Sequence, residues 1–548
     1  MAGVDVLRYN WTEGCDWLEL PLVTFDGETT GNGGSDFLTG SIDNFTQGAG
    51  EYNQTRQTSW VPYVQDTVRL KPNLTLNAGV RWEPYFPASV TGGRIPVFPP
   101  GEQSTKYPNA PVGLVFPGDA GISDTGGVPS SVGEFSPRIG IAWQPRALPR
   151  TSIRAAFGIF IAPFENTYYH HEADTAPYSP TYTLTYVQNG VINLTNPWAS
   201  SAGTGYADPF PPFSNLSYVP PTNTQFYLPV GVEDGFAPGF TLGKDQSWNL
   251  SIQHQFTPNT MLSVAYVGSE TYHLPILIDR NPGIFAAGGQ RTEYPDFNSI
   301  YENASWGTSS YNGLQISFEK RFSHGLQFTS NYTWSKTLDW ASAASTAFNG
   351  PVGDPFDLKW NYGISDMNFP QMWVTNFLYQ TPTLRNHSRP LRVVLGNWKP
   401  TGIFTMESGA PFSISGGCKG SDNSLSLIGG DRADLTGQPI QVRQGSEGHW
   451  LQQYFNPAAF EYNAPGTFGD SARNFIAGPP LVNMDLGIDK DFPFKERYKV
   501  EFRWEMFNAF NTPHFGSPGT NPAGWGFGQI TGEASPPRIM QAVLKFYW

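Results

Sequence analysis

The strictest constraint on this chain is an alternation with period two, kept over runs of about 9–11 residues. In NGLQISFEKRF (312–322), Leu314, Ile316, Phe318 and Phe322 fall on one face, and Gly313, Gln315, Ser317, Glu319 and Arg321 on the other. GLQFTSNYTWS (325–335) sets Leu326, Phe328, Tyr332 and Trp334 against Gln327, Thr329, Asn331 and Thr333. YKVEFRWEM (498–506) sets Tyr498, Val500, Phe502, Trp504 and Met506 against Lys499, Glu501, Arg503 and Glu505. Successive side chains of a strand point to opposite faces, so each run reads as one strand with an apolar and a polar side. Runs of this length suit a tilted strand that crosses hydrocarbon. The polar sides carry too much charge to meet a second packed layer. They face bulk water or a wet lumen.

The connections narrow the choice. Short links recur at 71–73 (KPN), 145–150 (PRALPR), 257–259 (TPN), 323–325 (SHG) and 492–497 (FPFKER), with a longer one at 382–392 (PTLRNHSRPLR). Between them lie long polar segments rich in Gly and Pro, at 84–134, 163–246, 271–310, 339–370, 408–480 and 511–537. Loops beyond about 12–15 residues are uncommon in compact domains. A soluble sandwich, lectin or propeller has no reason to place all of them on one side. An all-β transmembrane antiparallel barrel, with short periplasmic turns and long outer loops, does. Strands are expected near 2–10, 55–70, 73–83, 135–144, 151–162, 247–256 and 260–270. Further strands fall near 312–322, 325–337, 371–381, 396–407, 481–491, 498–510 and 539–548. A pair at 17–26 and 41–49 would bring the total to about 14–16, and even numbers are the rule in bacterial single-chain barrels.

Composition agrees. No run of about 18 apolar residues exists, so no helix is expected to span a membrane, and a barrel's alternation averages its hydropathy away. Charged residues make up 14% and aromatic residues 15% of the chain. The net charge of −13, with no basic cluster, excludes a nucleic-acid partner. Cys15 and Cys418 are the only cysteines, which leaves no disulfide framework and no thiolate metal site. The N-terminus, MAGVDVLRYNW, lacks the basic and apolar regions of a signal peptide and alternates like a strand. It reads as a start inside a domain, with a longer precursor expected. Nucleophile-elbow, HExxH, Walker and dinucleotide motifs are all missing from the sequence, so neither an enzyme nor a cofactor is expected.

Candidate functional residues fall into four groups. Lys499, Glu501, Arg503 and Glu505, with Glu319 and Arg321, line the polar faces and are expected in the lumen, chiefly as cross-strand ion pairs. Trp198, Tyr206, Phe210, Phe213 and Tyr218 are outer-loop aromatics suited to catching a ligand. The final strand IMQAVLKFYW carries Met540, Ala542, Leu544, Phe546 and Trp548 on its apolar side. Metal-type clusters are weak. His170, His171, Glu172 and Asp174 sit in a polar loop where adjacent histidines diverge, and Asp422, Asp431 and Asp434 lack the spacing and closing Glu of a calcium loop.

Several strand–turn blocks resemble the C-terminal barrel of TonB-dependent transporters, in the Oar-like branch of Acidobacteria-type bacteria. They include YVQDTVRLKPNLTLNAGVRWEP (63–84), FSPRIGIAWQP (135–145) and WNLSIQHQFTPNTMLSVAYVGS (248–269). The blocks at 311–339, 454–480 and 482–518 complete the likeness, which covers nearly all of residues 1–548. The resemblance implies a 22-stranded barrel in the outer membrane of a Gram-negative-type bacterium, filled by a plug and driven by TonB. That branch often carries a carboxypeptidase-regulatory-like domain. Plug, TonB-binding segment and first strands are not found here, so the chain would be the last part of such a barrel. The resemblance also implies that Phe546 and Trp548 signal to the barrel assembly machinery, and that the cargo is a bulky nutrient such as an iron chelate, glycan or peptide. A non-energised porin or a surface adhesion scaffold is the competing expectation.

Overall fold

A strand with one apolar side is stabilised by pairing its backbone with neighbouring strands and by withdrawing its apolar side from water. The computed structural model describes residues 1–16, 18–162, 169, 171–179, 181–186, 190–200, 216–342, 350–417, 422–494 and 498–548. Within it the alternating runs assemble into a sheet of 17 strands. The wall consists of β1 (Ala2–Cys15), β2 (Glu51–Lys71), β3 (Leu74–Trp82), β4 (Phe135–Trp143) and β5 (Thr151–Ile161). It continues through β6 (Lys244–Thr257), β7 (Thr260–Asp279), β8 (Phe297–Ser323), β9 (Leu326–Asp339) and β10 (Gln371–Tyr379). It ends with β11 (Trp398–Glu407), β12 (Leu481–Phe494), β13 (Tyr498–Phe507) and β14 (Ile539–Tyr547). Each strand pairs antiparallel with the next in chain order. The other three strands, Ser89–Val90, Val230–Phe236 and Gly363–Ile364, attach to the margin formed by the long connections.

Register carries each face unbroken from strand to strand. Leu314 sits opposite Trp334, Tyr332 opposite Trp373, Thr375 opposite Phe404, Phe404 opposite Met484, Ile488 opposite Trp504, and Phe502 opposite Leu544. Phe318 and Phe328 lie on this same side, with rings stacked at 5.2 Å. On the reverse side Gln315 faces Thr333, Glu319 faces Thr329, Thr405 faces Asn483, Asp489 faces Arg503, and Glu501 faces Lys545. Aromatic rings gather at both rims of the apolar side. Trp60, Trp82 and Phe135 make a chain of contacts at the long-loop rim, at 5.3 and 6.3 Å. Phe494, Tyr498, Phe546 and Trp548 stack at 5.8–6.0 Å at the short-turn rim. Paired girdles of this kind mark the two membrane interfaces.

The buried core lies outside this band, among the long connections. Tyr85, Val90, Ile95, Tyr169, Phe236 and Phe240 form one cluster, and Ile414, Tyr454, Phe455, Phe460 and Ile476 form another. The expected long loop at 271–310 is for the most part strand. β7 and β8 run past the membrane, and their outer ends are buried on both sides at Ile276, Leu277, Ile278, Asn303 and Ala304. The change comes at a register break between Tyr272 and Ile276, where His273 adopts a φ of 60°. β2 behaves alike: Asn53, Thr55 and Gln57 on its polar side are buried, with Asn53 and Gln57 donating to the loop carbonyls of Tyr169 and Phe86, whereas Gln65, Thr67 and Arg69 are exposed. The extra strand pair expected at 17–26 and 41–49 does form, as Leu22–Thr24 against Asn44–Gly48, but in a separate three-stranded sheet and not in the wall. Its short, Gly-flanked strands cannot reach across a bilayer.

Phe404 and Thr405 are chain neighbours on opposite faces near the middle of β11. Phe404→Lys should cost about 2–4 kcal/mol in lipid, and Thr405→Lys much less. Denaturant unfolding of both variants in lipid vesicles checks this, and equal losses would remove the lipid assignment of the apolar face.

Candidate functional site

The polar side of the wall is a continuous surface, and its charges are arranged by cross-strand register. Arg503 binds Asp489 at 2.9 Å and Glu501 at 3.2 Å, and approaches Glu505 at 3.8 Å. Lys499 binds Asp491 at 3.1 Å and reaches Glu501 at 3.6 Å, while Lys399 closes on Asp491 at 3.1 Å. The Tyr547 hydroxyl donates to Glu501 at 2.9 Å, and the Gln541 amide donates to Glu505. Lys499, Glu501, Arg503 and Glu505 thus belong to one network spanning β11 to β14. Glu319 and Arg321 do not join it. They pair with each other at 3.2 Å near the β8–β9 turn, where Arg321 is exposed. Alternating charge made the four residues legible as a set. Lys399, Asp489 and Asp491 escaped sequence reading because register between strands leaves no mark within a single strand.

Recesses open along this polar surface and at its outer mouth. The first, about 410 Å³, lies on the polar side of β2 to β6 and is lined by Tyr63, Arg81, Arg138, Phe160 and Asn249. Arg81 pairs with Asp5 at 3.1 Å, and Arg138 lies 4.5 Å over the Phe160 ring. The second, about 560 Å³, sits among the outer loops and is lined by Trp340, Trp360, Asp366, Arg432, Arg473 and Asn474. Arg473 reaches it from the long 408–480 connection and is fixed by Asp339 at 2.7 Å. Arg432 is buried, lies 3.3 Å over the Trp360 ring and donates to the Trp360 carbonyl at 2.8 Å. Burial, together with the nearby Arg473 charge, pushes its guanidinium down to about 10. Its Nε has no hydrogen-bond partner among the described residues.

Two of the five loop aromatics expected to catch a ligand, Trp198 and Tyr218, fall within the described residues. Trp198 is 7% exposed, packs with Ile42, Phe45, Leu184 and Ile192, and donates its indole N–H to Gln47 at 3.2 Å. It is a core residue of this loop cluster. Tyr218 is half-buried, its carbonyl accepts from Arg94 at 3.3 Å, and burial pushes its phenol up. Tyr206, Phe210 and Phe213 lie outside the described residues, as do His170 and Cys418. The acidic loop residues tie backbone together: Asp431 accepts from Ser424 and Asn463, Asp422 from Leu427, and Asp434 from Ala464 and Asp470. Phe546 and Trp548 sit exposed at the short-turn rim, on the apolar side.

An antiparallel wall with an aromatic-rimmed apolar exterior, a charged interior side and all its long connections at one end defines an outer-membrane β-barrel protein. The family model described as "Outer membrane beta barrel domain" matches residues 1–541, and the chain belongs to that family. It is a protein of the outer membrane, in contact with lipid along its apolar side. Among solved structures it is similar to the FrpB iron transporter from Neisseria meningitidis, at 10% identity over 90% of this chain and 46% of that one, with a TM-score of 0.40. It is also similar to the outer membrane transporter YddB from Escherichia coli, at 10% identity, 92% and 49% coverage and a TM-score of 0.41. The ferripyoverdine receptor of Pseudomonas aeruginosa matches at 9% identity, 100% and 54% coverage and a TM-score of 0.42. The chain spans about half the length of these proteins. No curated protein matches it.

The outer loops also hold a titratable group of their own. Desolvation, reinforced by the Asp279 charge and offset in part by Arg291, pushes the Glu233 carboxyl up to about 7. Asp279 is itself buried against Arg291 at 2.6 Å. The folded loops therefore favour protonated Glu233, while the unfolded segment loses this proton near its ordinary value of 4.5. Its contribution to stability is full below that value and is lost as pH rises towards 7. Protection factors in 230–236 and 297–305, taken relative to the intrinsic exchange rate at each pH, should fall from pH 5 to pH 8, and Glu233→Gln should flatten the dependence.

Proposed function

We propose that the chain is the wall and outer vestibule of a non-enzymatic transporter that takes up a bulky nutrient such as an iron chelate, a glycan or a peptide. The observation that carries this reading is the structured outer mouth. Loop clusters with their own cores stand over a charged, water-facing wall, and two of them, around Ile414 and around Val352 and Trp340, border a recess of about 560 Å³ with two indole rings and two guanidinium groups. A passive pore has no use for so large an apolar investment above its entrance. A recess of this size holds a whole ligand and offers ring faces and hydrogen-bond donors together. In this reading the Lys499–Glu501–Arg503–Glu505 network is a strut that holds β11 to β14 in register. Energy would come from the TonB complex, and insertion from the assembly machinery acting on Phe546 and Trp548.

Cells expressing the native protein should accumulate one of three probes: a radio-iron chelate, a labelled oligosaccharide or a labelled peptide. Accumulation should cease when the proton-motive force is collapsed. Equal uptake in energised and de-energised cells would identify a passive porin. Surface binding without uptake would identify an adhesion scaffold.

The assembly reading has its own test. Removing Phe546–Trp548 should leave the protein synthesised but absent from the outer membrane, while the exposed-loop change Leu427→Ser should insert normally. Equal outer-membrane recovery of the two would refute the role of the terminal aromatics.

A further inference from the structure

The connection between β10 and β11 departs from the other short turns. It contains a helix, Arg389–Leu395, with Pro390 at its start. Residues 382–397 include Arg385, Arg389 and Arg392 and no acidic residue, in a chain of net charge −13. All three arginines are exposed. So are Leu391, Val393, Val394 and Leu395, between 45 and 60%. At about 100° per residue, Leu391, Val394 and Leu395 share one side of the helix, and Arg389 and Arg392 share the other.

Two side chains fix where this helix sits. Trp398 and Lys490 are cross-strand partners, and Lys490 is in turn opposite Phe502, so both project from the apolar side of the wall. The Trp398 indole donates to the Val394 carbonyl at 2.8 Å. Lys490 is 2% exposed and donates to the carbonyls of Val394 at 3.1 Å and Gly396 at 2.6 Å. Its ammonium lies 4.6 Å over the Trp398 ring and 5.3 Å over the Phe492 ring. A lysine on a lipid-facing surface is costly unless it is paired, and here it caps the helix C-terminus, where the helix dipole favours a cation. The helix end is therefore tied to the outside of the wall, at the rim of short turns.

We infer that Arg389–Leu395 is an interfacial anchor. Leu391, Val394 and Leu395 enter the acyl region of the periplasmic leaflet, and Arg385, Arg389 and Arg392 bind anionic phospholipid headgroups. The apolar side of the helix continues the lipid-facing side of the wall, and its charge is opposite to that of the lipid.

The test uses the whole chain folded into vesicles of phosphatidylcholine with or without phosphatidylglycerol, in a background with Cys15→Ser and Cys418→Ser. A spin label on Val394→Cys should collide more with oxygen than with a water-soluble nickel chelate, and a label on Ser388→Cys should show the reverse. Each of Arg385→Gln, Arg389→Gln and Arg392→Gln should lower phosphatidylglycerol retention about fivefold, read by native mass spectrometry. Lys490→Met should move the Val394 label towards water in protein that still shows folded mobility on gels. A Val394 label accessible to the nickel chelate in the parent would overturn the proposal and point to a periplasmic protein partner. Undiminished phosphatidylglycerol retention in the arginine variants would overturn the headgroup contact, and an unmoved label in Lys490→Met would overturn the tether.

Discussion

Everything in this molecule follows from the demand that backbone N–H and C=O groups inside hydrocarbon find partners within the protein. Water is not there to take their place, and an unpaired group costs several kcal/mol. Between β1 and β14 the antiparallel ladders meet that demand with nearest neighbours in sequence, so no crossover connection has to pass through the membrane; among the described residues no ladder joins β14 to β1. Once the ladders are laid, the pleat decides the side chains. One side of every strand meets lipid and becomes Leu, Ile, Phe and Trp. The other meets water and carries Asp489, Glu501 and Arg503 within reach of one another. Individually such half-exposed ion pairs contribute little. Strung across four strands, they make a wrong register unfavourable, because a slip of one residue would carry the charged side into lipid.

Outside the bilayer the same chain obeys the opposite rule. The loops must exclude water to fold, so Tyr85, Phe236 and Phe240 are drawn together at one place and Tyr454, Phe455 and Phe460 at another. Buried charge there is held by specific partners, as Arg432 is by the ring and carbonyl of Trp360. Glu302 holds Arg280 at 3.0 Å and Asp279 holds Arg291 at 2.6 Å. The outer region is thus a water-folded body built on a lipid-folded base, and the candidate ligand recess lies in the former.

Alternation made the wall legible. All fourteen segments expected as wall strands are strands of the wall, because period two is a property of each strand alone. Their ends were harder to read. In LPILID at 274–279 alternation gives way to continuous burial, and such a run does not declare itself as strand or loop. Trp198 looked like a rim aromatic because sequence shows that a ring is present, not which neighbours cover it. Lys490 interrupts the apolar side of β12. Its partners are carbonyls about 94–96 residues away in sequence, which no local pattern encodes.

The switch of burial between Tyr272 and Ile276 has a consequence for how the protein sits. Below it, β7 offers lipid an apolar side, and above it the strand is wrapped by protein on both sides. Sinking the molecule by a few ångströms would force the polar exterior of the outer loops into hydrocarbon, and raising it would bring the outer end of the apolar band, at Tyr266, Leu314 and Trp334, into water. The vertical position is therefore set by the protein. Where membrane thickness differs from the height of the apolar band, the lipid must stretch or thin to fit, and the strain of that mismatch falls on the bilayer.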